Sequence, residues 1–171
     1  MRQIINNGQQ AANPGFSLLE TVIAMGIIMV GLASALVLMS SSTAAVATVR
    51  ERLVAANLVQ EGFEIVRNVR DNNWLQGLPF NNNLADGTNY DGEYSGATLI
   101  NYGVSLPPAL LFNAATGFYS HTGGGTATPY TRKITISNAS PVEIKVEVSV
   151  TWTNRNKVLT VAAEDHLFNW K

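Results

Sequence analysis

The chain has 171 residues, 46% hydrophobic and 13% charged, with a formal net charge of −1, which is room for one ordinary domain plus an extra element and is apolar for a soluble protein. That balance, without a basic stripe, lacks the electrostatic footprint of a nucleic-acid binder, so no nucleic acid is expected as a partner. There is no cysteine, which removes disulfides, thiol catalysis and thiolate metal sites together.

The first fifteen residues, MRQIINNGQQAANPG, hold one charged side chain, Arg2. From Thr21 to Val49 there is neither a charge nor a proline; at about 1.5 Å per residue such a helix is roughly 43 Å long, more than a bilayer core of about 30 Å. The section to Met39 is membrane-grade, Ser40 to Thr43 suit the exit into headgroups, and Ala44 to Val49 lie beyond. A secretory signal peptide fits poorly, because its apolar core is shorter and its polar start is more cationic. Counting positive charges leaves the orientation undecided, with Arg2 and the starting amine on one side and Arg50 and Arg52 on the other.

Glu20 is the one charge at the head of this run. Ser17-Leu18-Leu19-Glu20 fits a capping box, and Pro14-Gly15 before it stops a helix extending backward. On one reading Glu20 is a cap at the membrane surface. On the other its carboxylate enters the apolar layer, at a cost on the order of 2.5 to 3.5 kcal/mol near the bilayer centre, and needs a cation. No lysine, arginine or histidine lies between Arg2 and Arg50, so only a cut that creates a new α-amine supplies one.

Gly15 followed by Phe16-Ser17-Leu18-Leu19-Glu20 and a long apolar run resembles the class III signal of type IV pilins and type II secretion pseudopilins. The resemblance implies that a membrane prepilin peptidase cuts between Gly15 and Phe16, making residues 1–15 a leader, and methylates the new amine of Phe16. That amine is then the missing cation. Glu20 matches the glutamate that in the family pairs with the amine of a neighbouring subunit and sets the axial register. The helix lacks the proline that kinks many members; Gly26 and Gly31 supply either flexibility or close helix packing. The partners implied are the prepilin peptidase, other pilin subunits, the pilus assembly machinery and, before assembly, the membrane. The implied location is the cytoplasmic membrane, single-pass with the N-terminus cytoplasmic, and then a cell-surface or periplasmic filament.

Past the membrane the pattern stays helical. Residues 50–70 put Leu53, Ala56, Val59, Phe63 and Val66 on one face and Asn57, Gln60, Glu61, Glu64, Arg67 and Asn68 on the other, a stripe expected to cover a sheet of the same chain. With no interrupting cap, one helix from Phe16 to Arg70 is predicted. Asp71 to Pro129 is rich in Asn, Gly, Asp, Pro and Tyr and reads as long loops with one or two short strands. Asp86, Asp91 and Glu93 do not have the spacing of a twelve-residue calcium loop and are read as turn formers, so no metal is expected. His121 has no second ligand near it in sequence. Asp165 and His166 are neighbours that a strand points to opposite faces, so they form no triad. Both histidines are read as structural or solvated.

The clearest strand follows, with Val142, Ile144, Val146, Val148, Val150 and Trp152 alternating with polar residues. Asn154-Arg155-Asn156 turns the chain into a strand over Lys157 to Ala163, and Thr131 to Ser137 reads as a third. The closing HLFNWK is again similar to the end of many pilin-like chains. The predicted fold is α+β and pilin-like, a long N-terminal helix on a C-terminal antiparallel sheet. Its parts are a leader (1–15), a transmembrane or filament-spine half of the helix (16–49) and a globular domain (50–171) with variable loops over 71–129 and the sheet over 130–171. No Walker loop, HExxH or nucleophile elbow is present, so neither catalysis nor a cofactor is expected. The expected function is a structural subunit, a minor pilin or pseudopilin stored in the membrane and assembled into a filament; the alternative is a single-pass anchored extracytoplasmic binding module that does not polymerise.

Overall fold

The structure is a computed structural model that describes residues 15–94, 96, 98–137 and 139–170; the leader, Gly15 apart, lies outside the described residues. The fold is α+β, one long N-terminal helix packed against C-terminal antiparallel sheets. The helix, α1, runs Leu18–Leu75. Two units are distinguished along the chain, residues 1–47 and 48–171.

In the first unit every described side chain but Ala44 is exposed. Ser34, Ser41 and Thr43 turn their hydroxyls back onto carbonyls one turn earlier, those of Val30 (2.6 Å), Leu38 (2.9 Å) and Met39 (2.9 Å). Those donors are therefore satisfied without water.

In the second unit the rest of α1 buries Ala55, Leu58, Val59, Gly62, Ile65, Val66, Val69 and Asn73, a spacing of three and four that makes one helical face. This corrects the predicted stripe. Val59 and Val66 are shared, but Leu53 is 61% exposed and the centre of the face lies on the Leu58, Gly62, Ile65 and Val69 line. Gly62 explains the rotation: a Cβ there would stand 2.6 Å from Val148 Cγ1, so the helix approaches the sheet along its smallest residue. The helix also runs past Arg70. It ends in a Schellman cap, with Gly77 at φ 71° and the amides of Gly77 and Leu78 donating to Trp74 O (3.2 Å) and Asn73 O (2.9 Å).

The region expected to be mostly loop carries five short strands instead: β1 (Gly87–Gly92), β2 (Leu99–Asn101), β3 (Leu111–Asn113), β4 (Phe118–Ser120) and β5 (Thr126–Ala127). Three long ones follow, β6 (Thr131–Ser137), β7 (Glu143–Asn154) and β8 (Lys157–Phe168). They form a five-stranded sheet in the order β2-β1-β6-β7-β8 and a three-stranded sheet in the order β4-β3-β5, all pairings antiparallel. The β7–β8 hairpin closes on Arg155 and Asn156, both with positive φ (47° and 64°), the backbone of a type I′ turn that matches strand twist. β8 continues five residues beyond the predicted Ala163. Along β7 the residues Ile144, Val146, Val148, Val150 and Trp152 are buried beneath α1, while Val142 precedes the strand and is exposed.

Candidate functional site

At the head of α1, Gly15 and Phe16 are exposed and precede the first helical residue. Ser17 Oγ accepts the Glu20 backbone N–H at 3.2 Å, the serine half of the predicted capping box. Glu20 is the acidic residue of the first turn, where a negative charge meets the positive end of the helix dipole. Among the described residues no hydrogen bond or ion pair uses its carboxylate, and none of their basic side chains pairs with it. Beyond it Val22, Ile23, Met25, Ile27, Ile28, Met29, Val30, Leu32, Leu36 and Val37 are all exposed. Burying one such side chain is worth about 1.5–3 kcal/mol, so this surface calls for lipid or other helices. By length and composition α1 is able to cross a membrane, as a membrane anchor or signal sequence does.

A second cluster lies inside the globular unit, and sequence reasoning missed it. Arg132 in β6 is fully buried. Its Nε donates to Asp91 Oδ1 (2.7 Å), its Nη1 to Glu61 Oε1 on α1 (2.9 Å) and its Nη2 to the carbonyl of Gly92 (2.9 Å). Burial pulls the guanidinium's pKa down, but Asp91 and Glu61 outweigh it and the net direction is up, so Arg132 stays charged. The second oxygen of Asp91 meets His121 Nε2 at 2.7 Å. His121 in turn is held by its backbone N–H on Glu93 Oε1 (2.8 Å). Helix, sheet and the segment after β4 are thus tied through one largely buried chain of hydrogen bonds centred on the Arg132–Asp91 pair. A signal existed: the alternation that buries Ile134 and Ile136 also places Arg132 on the inner face.

The acidic residues weighed as a calcium cluster have separate tasks. Asp91 is a buried strand residue rather than a turn former, Glu93 tethers His121, and Asp86 accepts the Ala139 N–H at 2.7 Å. Among the described residues no group of three His, Asp or Glu is placed to hold a metal ion. Asp165 and His166 do point apart, Asp165 to Arg67 (2.6 Å) and His166 to Glu143 (2.5 Å) and Glu164 (3.2 Å). Hydrogen bonds to Glu143, then Glu164, raise the His166 pKa.

A helix with an apolar, exposed first half and a sheet-packed second half fits a pilin-like architecture. Residues 34–169 match the family model described as T-box transcription factor-associated. The chain belongs to this family. The T-box-associated match takes in the globular unit as far as Asn169, with the buried Arg132 cluster, and begins after Gly15, Phe16 and Glu20. No curated protein and no solved structure matches the chain.

Proposed function

We propose that this protein is a structural, non-catalytic subunit of a type IV pilus-like filament. It is stored in the cytoplasmic membrane with its N-terminus cytoplasmic, cleaved after Gly15 by a prepilin peptidase and methylated at Phe16. The observation that carries the reading is the asymmetry of α1. Its second half buries an apolar face in its own sheet, whereas its first half, uncharged after Glu20, exposes apolar side chains all round and so needs lipid or a bundle of like helices. In the filament other subunits' helices replace lipid, and Glu20 pairs with the amine of Phe16 on a neighbour. Assembly machinery moves the subunit between the two environments.

Mass spectrometry of the mature chain from its native cell tests processing. The expected N-terminus is methylated Phe16, with Gly15→Leu blocking the cut; an intact Met1 chain in surface filaments would overturn the reading in favour of a plain anchor. Glu20→Gln tests assembly. As a cap, Gln costs at most about 1 kcal/mol, whereas removing the charge from a desolvated pair costs about 3–5 kcal/mol. The variant is expected to be cleaved normally yet depleted in sheared filaments relative to membranes. An unchanged ratio would reduce Glu20 to a cap.

A further inference from the structure

A cavity of about 220 Å³ opens between the end of β1 and the β3–β4–β5 sheet. Its rim carries two large aromatic side chains, Tyr94 and Phe118, stacked at 4.4 Å between centroids and 21° between planes, yet 41% and 49% exposed. Beside them stands Glu93. One of its oxygens accepts the His121 N–H (2.8 Å) and the Thr122 hydroxyl (3.2 Å); the other has no partner among the described residues. Asn113 is fixed through its Oδ1 by the amides of Ala115 and Thr116 (2.9 and 3.4 Å), and its amide nitrogen has no described partner. Gly123, at φ 88°, presents bare backbone to the space.

We propose that this cavity binds a single neutral sugar ring, laid by its C–H face on an outer, exposed face of the stacked Tyr94–Phe118 pair and held through its hydroxyls by Glu93 and Asn113. The chemistry favours this class for three reasons. Aromatic faces carry a negative quadrupole that attracts the polarised C–H groups of a pyranose. A hydroxyl both donates and accepts, so the hydroxyls of one ring suit a carboxylate oxygen and an amide nitrogen lining the same cavity. The carboxylate is pre-oriented by the loop it tethers, so little ordering is needed on binding. An organic cation would use the aromatic pair and Glu93 but leave the Asn113 amide nitrogen without an acceptor.

The site is independent of processing at Gly15, and so is its test. The full chain is held in a polyoxyethylene-ether detergent, which has no sugar headgroup, and titrated with the methyl glycosides of glucose, galactose, mannose and N-acetylglucosamine under saturation-transfer NMR. At least one is expected to bind with millimolar affinity and to show transfer concentrated on the protons of one ring face. Tyr94→Ala and Glu93→Gln are each expected to weaken it about tenfold or more. Glu93→Gln keeps the carbonyl oxygen that His121 and Thr122 use, so its effect reads the lost charge and not a lost loop; unchanged amide shifts at His121 check this. The proposal is overturned if no glycoside shows transfer, if both variants bind as the parent does, or if tetramethylammonium displaces the sugar at equal concentration and binds alone.

Discussion

Arg132 carries a heavy desolvation cost, because a guanidinium fully removed from water must find its whole solvation in the protein. It does so with two carboxylates and a carbonyl. The arrangement predicts a sharp asymmetry between breaking the cluster and removing it. Asp91→Ala leaves Arg132 with the half-buried Glu61 as its one carboxylate, beside the Gly92 carbonyl, and also leaves His121 Nε2 without its acceptor. A loss of about 3–5 kcal/mol of unfolding free energy is expected, read as a lower urea midpoint with unchanged slope by tryptophan fluorescence. Adding Arg132→Met to that variant removes the stranded charge with a side chain of similar reach, and is expected to recover part of the loss. If the double variant is less stable than Asp91→Ala alone, the cluster's worth lies in Arg132's packing and not in its charge.

At the scale of elements, what was legible in the sequence follows from how much of each pattern is periodic. β6 was predicted with its observed bounds because Arg132, Ile134 and Ile136 alternate with polar residues; β7 was nearly so. The strands β2 to β5 have two or three residues each, too few for a period of two to be seen, and they exist because partner strands supply hydrogen bonds. The cluster was hidden for a related reason: its members come from α1, β1, β6 and the segment after β4, and only tertiary structure joins them. In α1 the helix was legible but its face was not, since large apolar residues such as Leu53 and Phe63 mark a stripe more visibly than the glycine that lets the helix close on β7. Gly62→Leu is therefore expected to destabilise. A helical glycine replaced by a better helix former usually gains about 1 kcal/mol, but here even the Cβ meets Val148 at 2.6 Å, and overpacking costs about 1–3 kcal/mol or more. The urea midpoint of the variant should fall; a rise would mean that the helix rides further from β7 than the structure has it.

For the whole molecule the decisive contrast is between two halves of one helix that satisfy their apolar surface differently. The globular unit is closed on itself: Ala55, Leu58, Val59, Val66 and Val69 join Ile134, Ile136, Ile144, Val146, Val148, Val150 and Trp152 in a single core, and five paired strands under a helix are enough for independent stability. Glu51 adds a polar tie, accepting from Trp152 Nε1 at 3.0 Å and Asn154 Nδ2 at 2.6 Å. A fragment of residues 50–171 retains all of these groups and loses the exposed apolar run from Leu18 to Val49. It is expected to be soluble without detergent, monomeric by sedimentation and cooperatively folded, with near-ultraviolet circular dichroism from a buried Trp152. That outcome would assign the subunit contacts of the proposed filament chiefly to the first half of α1. A fragment that is unfolded, or that dimerises at micromolar concentration, would place an intersubunit contact on the Leu58 to Val69 face and move part of the assembly surface into the globular unit.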